Sequence, residues 1–255
     1  MNELNFFKCK QVIENNNIHI WLINLEIYKK EINNLKAILN SEELAKSEEF
    51  YYLSDQERFI VGRAILRVVL SYYLNILPKD IVFYYNHYGK PYIVTNTIDS
   101  LEFNITHSNK MLVIAIANRS VGIDIEYMHC VNNLEGYMEG LLTTYLQNDL
   151  RMNKNEEKQK ILLRLWTVLE SYVKAMGKGI RYPFSTDIRN IVNQHTKKLI
   201  NSNFDISIDT CFLFKKIEIK DYICTCCILE PLDKFIIFRD EFILGSPYHF
   251  EKIVR

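Results

Sequence analysis

An apolar run from Met111 to Ala117 is broken by the polar triplet Asn118-Arg119-Ser120. The chain then continues as Val121-Gly122-Ile123-Asp124-Ile125-Glu126. The pattern predicts two strands joined by a tight turn, a hairpin near the middle of the chain. In a strand, alternate side chains share a face. Asp124 and Glu126 therefore point one way, and Ile123 and Ile125 the other. Neighbouring carboxylates repel unless a cation lies between them. A site with few, all-oxygen protein donors suits Mg²⁺, which keeps several waters and shares its site with phosphate oxygens. An exposed acidic strand edge explains the same pattern more plainly.

A second stretch weighs against that plainer explanation. Apolar residues at 161, 162, 165, 168, 169, 172, 173 and 176 predict a helix with a broad buried face, closed by Gly177. Trp166, Glu170 and Lys174 follow one another at helical spacing and form a single stripe. With apolar positions on both sides, the Glu–Lys pair is expected to be partly buried. That arrangement supplies a third carboxylate for a metal and a cation for a phosphate.

These stretches resemble the 4′-phosphopantetheinyl transferase superfamily, in its Sfp-like branch. The family pattern is a strand bearing G-[IV]-D-x-E and, some tens of residues later, a helix bearing W-x-x-K-E-[SA]-x-x-K with a glycine-rich end. Here the matching segments are Gly122-Ile123-Asp124-Ile125-Glu126 and Trp166 to Lys174. Gly89-Lys90-Pro91-Tyr92 and Phe103-Asn104-Ile105-Thr106-His107-Ser108 match further family segments in the same order. The chain departs at Leu169, where the family usually carries lysine, and at Glu43, a position that is often basic. The resemblance covers roughly residues 18–230. It implies an α+β fold, a pseudo-dimer of two similar halves with the active site between them.

The chain has 255 residues, 48% of them hydrophobic and 24% charged, enough to bury a sizeable core. Its formal net charge is zero, so no global field draws it to nucleic acid or to a membrane, and any anion site must be local. Met1 to Lys10 lacks the basic start and apolar run of a signal peptide, and a cytoplasmic location is expected. Cys224, Cys226 and Cys227 sit in an otherwise apolar run, without CxxC loops or neighbouring histidines. They predict reduced structural thiols, not a zinc site. A GxxxxGK[ST] loop is missing, which argues against a P-loop enzyme.

Taken in order, Ile18 to Ile27 predicts a first strand and Glu31 to Tyr52 a helical region. Ser54 and Glu57 suggest a capping box ahead of a helix over Asp55 to Asn75. On that helix Arg63 and Arg67 are a turn apart, so at least one is expected to face solvent. Short strands are predicted over Ile81 to Tyr85 and Leu101 to Thr106, with a turn at His87 to Pro91. Asn132 to Asn148 and Arg151 to Lys160 suggest helices joined by loops. Beyond Pro183 the pattern turns to strands at Phe204 to Ile208, Cys211 to Ile219 and Tyr222 to Leu229. The expected division is a first half over 1–125, a second over 126–230 and a docked tail over 231–255.

The resemblance implies a reaction. The 4′-phosphopantetheine arm of coenzyme A moves onto a serine of an apo acyl or peptidyl carrier protein, and 3′,5′-ADP leaves. Asp124, Glu126 and Glu170 are implied Mg²⁺ ligands, and Glu170 is also a candidate base. Lys174 and His107 are implied phosphate donors and complete the catalytic set. Lys46, Arg58, Gly89, Lys90, Pro91, His107, Ser108 and Lys174 are implied to line the coenzyme. Family analogy favours carriers of polyketide or nonribosomal peptide synthases, and a monomer. Two alternatives stay open: a non-catalytic module that binds coenzyme A or a carrier protein, and another Mg²⁺-dependent phosphoryl or nucleotidyl transferase.

Overall fold

The computed structural model describes residues 11–94, 101–129, 134–138, 155–179, 205–208, 212–239 and 252–254. Most of the stretch from 130 to 154, on which one predicted helix falls, lies outside the described residues.

Two sheets back onto each other, and each carries one long helix on its outer face. The first sheet has the order β11 (Lys252–Val254), β10 (Lys234–Arg239), β1 (Asn17–Asn24), β5 (Met111–Ala117), β4 (Glu102–Ser108). The second has the order β6 (Val121–Tyr127), β9 (Tyr222–Leu229), β8 (Phe212–Ile219), β7 (Asp205–Ile208). A two-stranded ribbon joins β2 (Tyr84–Tyr85) to β3 (Pro91–Tyr92). The fold is α+β.

The near-continuous hydrophobicity of β5 follows from this layering, because a strand buried on both faces has no polar side to show. Leu112, Ile114 and Ile116 pack against the helix α3 (Leu53–Leu74). Val113, Ala115 and Ala117 face the second sheet, where they meet Val121, Ile123 and Ile125 of β6. The other face of the second sheet is covered by α5 (Asn155–Ala175), whose Leu165, Val168 and Leu169 pack against Phe214 and Cys227. The short helices are α1 (Ile32–Lys36), α2 (Ser41–Glu48) and α4 (Leu134–Met138).

Several local expectations need correction. β5 and β6 are not a hairpin. β5 pairs with β1 and β4, whereas β6 pairs with β9 in the other sheet. The triplet 118–120 is where the chain changes sheets. The apolar faces of the two strands are buried against each other, Val113, Ala115 and Ala117 on Val121, Ile123 and Ile125, as stacked sheets require. Glu31 to Tyr52 is not one helical region, since Asn40 interrupts it and caps α2. The capping box lies there, with Glu43 N–H donating to Asn40 Oδ1 (2.8 Å) and Asn40 N–H to Glu43 Oε2 (3.1 Å). It is not at Ser54, because the residue capping α3 is Tyr52, which makes no side-chain bond. Neither Arg63 nor Arg67 faces solvent freely. Arg67 is fully buried against Glu43 (Nε–Oε2 2.8 Å) and donates to the carbonyls of Pro78 and Ile81. Arg63 also reaches Glu43 (3.4 Å) and lies over the Phe83 ring. Residues beyond Pro231 contribute two strands to the first sheet, so 234–239 is built into the core and not laid on it.

Candidate active site

The site forms where the edges of the two sheets meet. β4 and β6 are edge strands of different sheets, and side chains of β4 stitch them together. Asn104 Oδ1 accepts from Ile123 N–H (3.0 Å). Thr106 Oγ1 donates to Asp124 Oδ1 (3.1 Å). Ser108 Oγ donates to Glu126 Oε2 (3.0 Å) and accepts from Tyr127 N–H. Alternate residues of β4 thus hold β6 through the backbone N–H groups of Ile123 and Tyr127 and the carboxylates of Asp124 and Glu126, and the two acids stand on the face turned toward α5.

α5 comes close because Gly122 permits it. A Cβ there would lie 1.9 Å from the Ser171 carbonyl oxygen and 2.4 Å from Ala175 N. Ser120 adds a bond to the Ala175 carbonyl (2.6 Å). This contact delivers Lys174 to Asp124, with Nζ 2.5 Å from Oδ1. Trp166, Glu170 and Lys174 are half-buried, while Leu165, Val168, Leu169 and Val173 around them are buried, which is the expected stripe. Leu169, the departure from the family pattern, is fully buried on the core side of α5 and faces away from this stripe.

Burial raises the pKa of Asp124, and Lys174 and Thr106 offset that only in part. Burial also raises Glu126 and Glu170, and the charge of Asp124 pushes both further up. Asp124 is 4% exposed, and its Oδ2 is buried with no hydrogen-bond partner. An orphaned carboxylate oxygen beside two more destabilised carboxylates lacks positive charge. Among the described residues, no three acidic, histidine or cysteine side chains form a ready metal cage. The donor set nevertheless fits Mg²⁺, which takes one or two carboxylates and fills its shell with water and substrate phosphate.

His107 lies between Thr106 and Ser108 on β4, so it points away from their row, at an exposed position. Surrounding protein lowers its pKa, first by desolvation and then through the cations Arg58 and Lys174. Arg58, on α3, pairs with Asp55 (3.0 Å). Lys46 is exposed on α2. Glu43, the other departure, is taken up by the α2 cap and by Arg67. Gly89 has φ of +82°, as its turn requires. Lys90 extends from that turn to within 3.5 Å of the Val121 carbonyl, and desolvation lowers its pKa. Pro91 starts β3.

Sequence reasoning missed the side-chain stitching by Asn104, Thr106 and Ser108. The alternation of polar residues at 104, 106 and 108 was the available signal. On an edge strand such alternation usually marks a solvated face, so it pointed elsewhere.

The sheet-edge site and the two helix-backed sheets define an α+β protein built from two halves, with paired acids and a lysine where they meet. Comparisons agree with that class. The family model described as "4'-phosphopantetheinyl transferase superfamily" matches residues 120–227, and the one described as "4'-phosphopantetheinyl transferase, N-terminal" matches 26–119. The 4′-phosphopantetheinyl transferase HetI of a Nostoc species is 37% identical over 165 residues, 64% of this chain and 70% of the relative. The gsp transferase of Aneurinibacillus migulanus is 27% identical over 212 residues, 80% of this chain and 82% of the relative. Sfp of Bacillus subtilis is 28% identical over 158 residues, 62% of this chain and 69% of the relative. The chain belongs to the 4′-phosphopantetheinyl transferase superfamily, in its Sfp-like branch. The two family matches meet at the triplet where the chain changes sheets.

Proposed function

We propose that this enzyme transfers the 4′-phosphopantetheine arm of coenzyme A to a serine of an apo carrier protein, with Mg²⁺ bound at Asp124, Glu126 and Glu170. The observation that carries the reading is the buried, unpartnered Asp124 Oδ2 beside Glu126, with Lys174 already in contact with the same carboxylate. A bound Mg²⁺ supplies neutralisation of charge on the coenzyme's diphosphate. The chain's own groups do the rest. Glu170 takes the proton of the carrier serine, directly or through a water, as the serine oxygen attacks the β-phosphorus. The new P–O bond forms as the bond to the leaving phosphate of 3′,5′-ADP breaks. Lys174 moves from Asp124 onto a phosphate oxygen, and His107, Arg58 and Lys46 serve the 3′-phosphate. Gly89, Lys90 and Pro91, with Ser108 below, line the nucleotide.

The carriers are those of polyketide or nonribosomal peptide synthases, and the protein acts as a cytoplasmic monomer. Among the described residues, no helix is long and apolar enough to cross a membrane. The test is to incubate the protein with coenzyme A, Mg²⁺ and a panel of apo carrier proteins. Intact mass of each carrier should rise by one phosphopantetheine arm. Coenzyme A binding without modification of any carrier would leave a binding module instead.

A further inference from the structure

Asn86 lies outside the four motif segments quoted above, yet its side chain closes one turn of the first half and bonds to the backbone of the second. Its Oδ1 accepts from the N–H groups of Tyr88 (2.9 Å) and Lys90 (2.9 Å), which closes the turn that carries Gly89. Backbone bonds from Asn86 N to Lys90 O and from Gly89 N to Asn86 O complete that turn. The Nδ2 group donates to the Gly177 carbonyl (2.7 Å), across 91 positions of sequence. Every partner is a backbone group of fixed polarity, so the amide orientation is forced.

The receiving end is equally built. α5 finishes with Gly177 at φ +66°. Lys178 N–H bonds to the Val173 carbonyl and Gly177 N–H to the Lys174 carbonyl, a Schellman ending. That ending turns the Gly177 carbonyl out toward Asn86. A Cβ on Gly177 would lie 3.1 Å from Asn86 Nδ2, so the glycine also makes room for the bridge. Lys174, which holds Asp124, is one helical turn back along α5.

We infer that Asn86 is a positioning residue that sets the distance between the coenzyme-lining turn and the helix carrying Glu170 and Lys174. The inference rests on the proposed transfer reaction. One end of the coenzyme is held by the turn, while its diphosphate must meet groups on α5 and β6. A rigid link between the two fixes where the diphosphate lies against those groups, and a misplacement of order 1 Å is enough to slow transfer about a hundredfold.

Two variants separate the turn from the bridge. Asn86→Asp keeps the acceptor for Tyr88 and Lys90 but faces the Gly177 carbonyl with an oxygen. Asn86→Ala removes both functions. Coenzyme A affinity by calorimetry, kcat and KM with a modified carrier, and melting temperature should be measured at two ionic strengths, to separate any effect of the added charge. Asn86→Asp should bind coenzyme A within about twofold of wild type while kcat falls about tenfold or more, as a misalignment effect. Asn86→Ala should lose affinity as well as kcat. An Asn86→Asp enzyme with wild-type kcat well below its melting temperature would overturn the inference, whatever the change in melting. A wild type that modifies no carrier sinks the transfer reading instead. The two affinities then decide the inference alone, and equal loss in both variants would refute it.

Discussion

Glu170 and His107 occupy opposite ends of the proposed chemistry, and each can be tested without disturbing the other. Glu170 is half-buried on a helix face, and that burial, with the charge of Asp124, already disfavours its ionised form. Glu170→Gln is nearly isosteric and removes the proton acceptor. It should lower kcat by about 10²–10⁴ and leave coenzyme A affinity nearly intact, with no recovery as Mg²⁺ is raised. Steady-state kinetics over a Mg²⁺ series checks this. His107 stands near Arg58 and Lys174 but belongs to neither carboxylate cluster nor core. Wild type should prefer coenzyme A to dephospho-coenzyme A by roughly tenfold in kcat/KM, since a charge-assisted bond contributes about 1.5–3 kcal/mol. His107→Ala should narrow that preference. Paired assays with the two substrates decide it.

At the scale of elements, the contact between β6 and α5 is the one that admits no side chain. Gly122→Ala should destabilise the protein by more than about 3 kcal/mol, because the clash is with backbone atoms that cannot rotate away. Urea unfolding measures it. On β9, burial pushes the Cys224, Cys226 and Cys227 thiols well above the ordinary range. Folded thiols therefore keep protons that the unfolded chain gives up. Their contribution to stability is present below the unfolded-state value of about 8.5 and declines as pH climbs above it. In the native protein these three should stay unmodified by an alkylating reagent from pH 7 to 9, as read by peptide mass spectrometry. Element identity was largely legible in the sequence: α3, β8 and β9 fall within a residue or two of expectation, because long amphipathic or β-branched runs carry their own period, whereas α5 also takes in residues 155–160, which the sequence suggested as part of a separate helix. Pairing was not. Nothing local in Met111 to Glu126 distinguishes a hairpin from a crossing between stacked sheets, since the difference lies in the partners β1 and β9, 87 to 107 residues away. The acids, Lys174 and Glu170 were legible as a stripe and an alternation. The Asn86 bridge was not, because it depends on a carbonyl 91 positions downstream.

For the whole molecule, the shared core between the sheets makes the two halves one folding unit. The chain has two tryptophans. Trp21 is in the first sheet, stacked on Phe238 with ring centroids 4.5 Å apart, and Trp166 is on α5. Trp166→Phe and Trp21→Phe each leave one reporter, one per half. Both fluorescence transitions should coincide along a denaturant series, as two-state unfolding requires. Separate midpoints would mean the halves unfold independently. The parallel pairing of β1 with β10 has a further consequence for how the protein is made. Asn16 and Asp233, at the start of that pair, are bonded across 217 positions of sequence. As the ribosome releases the chain, β1 waits with one edge bare until β10 emerges. A bare, apolar strand edge is a template for unwanted pairing with other chains. The nascent protein is therefore most vulnerable to aggregation during the long interval in which its first half is synthesised but unsealed, and a stop codon shortly after β9 should yield inclusion bodies, not a smaller working enzyme.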